Sequence, residues 1–150
     1  MSKMALKNWM PAAILRSPLH RLLSGKRLVL TFVGRRSGTR YATPVNYLQR
    51  GNELLITTDS PWWHNFTSGA PVDIRLRGHS VSGSARTILD PEVVVEALTA
   101  LVRDHPPYGR WAHVGVDSDG SPNADDVRAE VARGRVLIRV QLPPEANVVR

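Results

Sequence analysis

The sequence predicts one antiparallel α+β barrel spanning all 150 residues, and three observations carry that expectation. Strand-like runs come in pairs across short turns: residues 41–49 with 53–58 around Arg50-Gly51-Asn52, and residues 72–77 with 80–88 around Gly78-His79. No strand and helix alternate as a parallel sheet would require. The helical patterns are few, one short between the hairpins and one longer after them.

Taken in order, residues 3–24 place Met4, Leu6, Trp9 and Met10, then Ala13, Ile14, Leu19, Leu22 and Leu23, on an apolar stripe with Lys3, Lys7, Arg16, His20 and Arg21 largely off it. Pro11 and Pro18 divide this amphipathic segment into two helical pieces. It either packs on the domain or lies on a membrane surface. Residues 27–33 are apolar apart from Arg27 and Thr31, as in a buried strand. In Val72-Asp73-Ile74-Arg75-Leu76-Arg77 apolar and charged residues alternate, so one face is buried and the other wet. Ser60-Pro61 opens a short helix over Trp62-Trp63-His64-Asn65-Phe66, with Ser60 as its cap. Asp90-Pro91-Glu92 opens the longer one, which His105-Pro106-Pro107 stops. Residues 104–124 are rich in turns, residues 123–133 form a last short helix, and residues 135–142 a final strand.

The net charge of +7 is unevenly distributed. Residues 1–52 hold ten Lys and Arg and no acid, whereas the remainder carries ten Arg against 13 acids. A basic half of this kind suits an anionic partner: nucleic acid, an anionic membrane or a small polyanion. There is no cysteine, hence no disulfide framework or thiolate chemistry. No 18-residue apolar run exists, and cytoplasm is the default compartment, with peripheral membrane contact through the N-terminal segment as the alternative. His64 and His79 lack metal-ligand spacing. No Gly-x-Ser-x-Gly elbow is present.

The turn Gly34-Arg35-Arg36-Ser37-Gly38 lies between two strand signals. It can aim backbone N–H groups, a hydroxyl and two guanidinium forks at one anion. It is neither a Walker loop nor a dinucleotide fingerprint, since no Gly-Lys-Ser/Thr and no helix follow. Adjacent Trp62 and Trp63 point roughly 100° apart on a helix, so one can face the core while the other walls a pocket. Tyr108 and Trp111 follow the late helix, either as a loop plug or as pocket residues with a phenolic proton to offer.

Together these blocks resemble the deazaflavin-dependent nitroreductase family. Leu30 through Gly38, continuing to Thr43-Pro44, is similar to that family's strand, Gly-Arg-Lys/Arg-Ser/Thr-Gly turn and following proline. Trp62, Asn65 and Phe66, followed by Gly69-Ala70-Pro71-Val72, resemble its Trp-x-x-Asn-Leu helix and next strand, and Pro106-Pro107-Tyr108 is a weaker third match. The resemblance implies a split β-barrel fold akin to pyridoxamine-phosphate oxidase. It also implies the deazaflavin coenzyme F420, a phosphate- and oligoglutamate-bearing polyanion, and hydride transfer to a quinone, nitroaromatic or activated alkene. By position, Arg35, Arg36, Ser37 and Gly38 would hold the phosphate and tail carboxylates. Arg40 stands beside Tyr41, where the family often has arginine. Thr43, Pro44 and Val45 would border the ring, Thr57, Thr58, Asp59 and Ser60 would meet it from the next hairpin, and Trp62 and Asn65 would close the site. Tyr108 aligns with a substrate-pocket aromatic that serves as proton donor, and a homodimer is expected from the fold. FMN in the same barrel, or a non-enzymatic basic barrel with Trp62 and Trp63 stacked on bases, are the alternatives.

Overall fold

The computed structural model describes residues 27–76 and 79–143. The N-terminal amphipathic segment and its membrane contact, the Gly78 turn and the polar tail therefore lie outside the described residues. The elements are β1 (Arg27–Val33), β2 (Arg40–Asn46), β3 (Leu48–Arg50), β4 (Glu53–Thr58), a 3-10 helix (Pro61–Phe66), β5 (Ala70–Leu76), β6 (His79–Ile88), α1 (Pro91–Asp104), α2 (Tyr108–Ala112), α3 (Ala124–Ala132) and β7 (Val136–Gln141).

Seven strands form one antiparallel sheet in the order β2-β1-β5-β6-β7-β4-β3. One expected strand, residues 41–49, is in fact two. It breaks at Tyr47, and its halves occupy opposite ends of the sheet. A single residue bridges at most about 7 Å between its neighbours' Cα atoms, so the sheet must curl until its two edges adjoin. This topological demand overrides a local sequence that reads as continuous β, and it makes the sheet a curled half-barrel.

Alternation along each strand sorts side chains to two faces. Leu28, Leu30 and Phe32 of β1, Leu54 and Ile56 of β4, and Ile138 and Val140 of β7 fill the interior. Leu55 and Leu137 point the other way and pack beneath Val94 and Ala97 of α1. Helix α1 starts as its sequence dictates: the Asp90 carboxylate accepts from the Glu92 N–H at 3.0 Å and Pro91 occupies the first turn. A second apolar layer joins Leu98, Leu101 and Val102 of α1 to Tyr108, Ala112 and Val127. That layer presses α2, which lies within the stretch expected to be turns, against the end of β4.

The helix between the hairpins is 3-10, and Ser60 does not cap it with its side chain. Instead the Thr58 hydroxyl accepts from the Ser60 N–H at 3.0 Å. Trp62 and Phe66 of this helix plug the barrel beside Phe32. The Phe32–Phe66 centroids are 5.0 Å apart, edge to face, and Trp62–Phe66 are 6.0 Å apart in the same geometry.

Candidate active site

A cleft of about 240 Å³ opens where three segments meet. Thr43, Pro44, Val45 and Asn46 of β2 form one wall, and Thr57 to Ser60 at the end of β4 form the other. Trp62, Tyr108, Trp111 and Arg135 complete it. Pro44 is tolerated within β2 because β2 ends the sheet order and pairs only with β1, across from Val29. One tryptophan serves both expected purposes. Trp62 is 4% exposed, packs in the aromatic plug and still lines the cleft. Trp63 instead stacks on His64 at 3.7 Å, and its carbonyl accepts from Thr87.

The arginine loop stands off from the cleft wall, one side of which is Thr43. From Arg40, where β2 begins, to Thr43 the strand climbs about 10 Å. The loop is closed by Gly38 N–H to Gly34 carbonyl at 2.9 Å, with Gly38 at φ +70°, a conformation that favours glycine. It is tied to the cleft through Asn65. The Asn65 Oδ1 accepts from the Arg35 N–H at 2.9 Å while its Nδ2 donates to the Trp62 carbonyl, also at 2.9 Å. Asn65 therefore couples the loop to a cleft-lining tryptophan. Within the loop the Thr39 N–H donates to the Ser37 hydroxyl, and the Arg35 guanidinium reaches Thr67 Oγ1 at 3.3 Å. Among the described residues Arg36 makes no hydrogen bond or ion pair and is exposed. Arg40 is aimed elsewhere: it pairs with Asp73 at 3.0 Å on β5.

Behind the cleft lies a buried polar network. The Tyr108 hydroxyl donates to the Thr57 carbonyl at 3.0 Å and sits 2.7 Å from Thr57 Oγ1. Arg135 Nη1 donates to the same phenol oxygen at 3.3 Å, and its Nε donates to Glu130 at 3.0 Å. Glu130, 3% exposed, also accepts from Arg133 at 2.6 Å and contacts His113 at 3.3 Å. Burial raises the Tyr108 pKa above the usual phenol value, and the Arg135 charge offsets only part of that. For Glu130, burial pushes toward the protonated form, but hydrogen bonds from Arg133 and Arg135 prevail and hold it below the ordinary carboxylate value.

The structure thus brings together Thr43, Pro44, Val45, Thr57, Thr58, Asp59, Ser60, Trp62 and Tyr108. It keeps Arg35, Arg36, Ser37, Gly38, Arg40 and Asn65 out of the cleft lining, with Asn65 as the link. Sequence reasoning missed Arg135 and Glu130. Arg135 reads as the polar first residue of an apolar strand and Glu130 as one more acid on a helix, so neither carried a signal.

The family model for F420H2-dependent quinone reductase matches residues 15–117, more than half of the chain. The chain belongs to this family. It is an oxidoreductase, and its cofactor is coenzyme F420. Among solved structures, a chain described as a domain-swapped dimer superposes with TM-score 0.55 at 14% identity, over 88% of this chain and all of that one (100%). An F420-H2 dependent reductase, FDR-A, superposes with TM-score 0.55 at 14% identity, over 79% of this chain and 96% of that one. An FAD and heme binding protein from Mycobacterium smegmatis gives 0.52 at 20% identity, over 92% and 70%. At these identities the likeness establishes the shared fold. No curated protein matches the chain.

The donor set fits the cofactor's chemistry. A phosphate and carboxylates need cations and N–H donors on an open surface, and the loop offers exposed Arg36, Arg35 and a glycine turn with nothing within 4 Å of a Cβ built on Gly38. A tricyclic ring needs an apolar slot with a few polar groups, and the cleft supplies Pro44, Val45 and Trp62 with the Thr57 and Thr58 hydroxyls.

Proposed function

We propose that the cleft takes the deazaflavin ring and that a small electrophile, a quinone, nitroaromatic or activated alkene, is reduced there. The observation that carries this reading is convergence: the middle of β2, the end of β4 and the 3-10 helix meet at one cleft, and Asn65 ties that helix to the arginine loop. Bound coenzyme F420 supplies hydride transfer from its ring carbon, and the protein supplies binding, orientation and exclusion of water. Arg35, Arg36, Ser37 and Gly38 hold the phosphate and tail carboxylates. Thr43, Pro44 and Val45 border one ring edge and Thr57, Thr58, Asp59 and Ser60 the other. Trp62 closes the slot from below, and Asn65 keeps loop and slot in register.

Tyr108 borders the acceptor side. Its proton is directed at the Thr57 carbonyl and its pKa is raised, so its first effect is to hold Thr57 and Arg135 in place. The chain acts as a single domain over residues 1–150, and a homodimer is its working assembly. Trp62 is turned into the cleft and Trp63 stacks on His64, so the pair forms no open platform for successive bases, which favours a small ligand over nucleic acid. Among the described residues no helix is long and apolar enough to cross a membrane.

Titration of the full chain with coenzyme F420 and, separately, with FMN tests this reading, followed by mixing F420H2-loaded protein with a quinone. Saturable F420 binding and quinone-dependent cofactor oxidation are expected. Saturable FMN binding without F420 binding would overturn it.

A further inference from the structure

Arg135 is the charged group of the cleft that no sequence motif announced. Its side chain is 5% exposed, yet it lines the cleft. Three of its contacts fix it from behind: Nε to Glu130 at 3.0 Å, and Nη1 to the Tyr108 oxygen at 3.3 Å and to Thr57 Oγ1 at 3.5 Å. The remaining nitrogen, Nη2, has Asp59 at 3.9 Å as its partner among the described residues, too long for a hydrogen bond. Asp59 is more than half exposed, at 56%. Glu130 is shared with Arg133 at 2.6 Å and with His113 at 3.3 Å, so it does not neutralise Arg135 alone. Nη2 is thus the one nitrogen of this held guanidinium whose donors face the cleft without a close protein acceptor, and they are free to meet a ligand there.

We propose that Arg135 is a catalytic residue of this cleft, its Nη2 receiving the oxygen of the hydride acceptor on which negative charge collects. This inference rests on the reading of the cleft as the site of reduction. Hydride addition forms one bond to hydrogen on the acceptor, displaces an electron pair onto its oxygen and oxidises the deazaflavin. A proton from water then completes the neutral product. A prepositioned guanidinium at that oxygen stabilises charge that exists only once hydride has begun to move. Glu130, Tyr108 and Thr57 are positioning residues for it, since they fix the plane of the guanidinium. Asp59 competes for Nη2 and is displaced outward, toward solvent, when the acceptor oxygen arrives. The site thereby selects acceptors whose reduction places charge on oxygen, which quinones, enones and nitro groups share.

The probe is 4-nitrophenol, whose phenolate is yellow, bound to the full chain with and without coenzyme F420. A cation beside the phenol oxygen shifts its ionisation toward phenolate by about tenfold or more. Wild-type protein is expected to show that shift with F420 bound, Arg135→Gln to abolish it, Arg135→Lys to keep part of it, and Asp59→Asn to enlarge it. An unshifted indicator on wild-type protein, a shift that survives Arg135→Gln, or displacement of the indicator by F420 would overturn the assignment. Should the Arg135 variants not fold, Asp59→Asn decides, and no enlargement refutes the proposal. F420 titrations of the same samples separate the two readings. Binding without an indicator shift removes only the role of Arg135, whereas absence of F420 binding removes the site itself.

Discussion

Replacing Arg35 and Arg36 together by alanine separates affinity from stability. In the folded protein Arg35 makes one exposed side-chain hydrogen bond, to Thr67 at 3.3 Å, and Arg36 makes none among the described residues. The backbone N–H of Arg35 that binds Asn65 survives the substitution. Loss of one exposed bond from a charged donor costs about 1.5 kcal/mol, the low end of its range, which in a chain of this size lowers Tm by about 3–6 °C. Each charge-assisted contact to a phosphate or carboxylate is worth about 1.5–3 kcal/mol. On an open loop the lower figure applies, so two contacts amount to about 3 kcal/mol, a weakening of Kd of about a hundredfold. Fluorescence titration with coenzyme F420 reads the affinity, and a thermal melt of the unliganded protein reads the stability. The salt dependence of Kd must also flatten in the variant, because these charges interact through solvent. An affinity within twofold of wild type would refute the loop's assignment, and a Tm drop beyond 10 °C, equal to several kcal/mol, would refute the claim that it is structurally dispensable.

Asn65→Ala removes both the loop tie and the bond to Trp62, so F420 binding weakens although no ligand contact is lost; a melt should show a cost of about 1–2 kcal/mol. Gly38→Ala meets no clash, but φ +70° strains any other residue, so urea unfolding should show a loss of about 1 kcal/mol together with weaker F420 binding. Phe66→Ala empties the centre of the aromatic plug, where Phe66 is 0% exposed, and should destabilise by about 3–5 kcal/mol in the same assay. The Glu130 pKa is depressed in the folded state, so its contribution is present above the ordinary carboxylate range and is lost as pH falls through the lowered value. Glu130→Gln should therefore flatten the acid limb of stability against pH, as followed by melts in a series of acidic buffers, and an unchanged acid limb would remove Glu130 from that role.

Much of the barrel is legible because its determinants are local. The hairpin turn at Gly51 is set by neighbouring residues, as are the Asp90 cap and the two-faced alternation that sends Leu54 and Ile56 inward and Leu55 outward. The break at Tyr47 is not local, because it follows from where β2 and β3 stand in the closed sheet, so the continuous β pattern of residues 41–49 conceals it. The cleft walls at Thr43 to Val45 and Thr57 to Ser60 were readable by resemblance, and their meeting in one cleft agrees with that order. The pairing of Arg40 with Asp73 is not legible, because Asp73 lies two strands away across the sheet and nothing in sequence signals the pair. Arg135 and Glu130 were invisible for a related reason. A buried ion pair acquires its meaning from the groups that surround it in space, here Tyr108 and Thr57, each more than twenty residues distant from Arg135.

The most direct test of the cleft as the reducing site is a crystal structure of the full chain with coenzyme F420. The deazaflavin ring is expected between Pro44 and the end of β4, over Trp62, with the phosphate within hydrogen-bond reach of Arg36 or the Gly38 turn. A ring seated outside this cleft, or a phosphate remote from the arginine loop, would contradict the assignment.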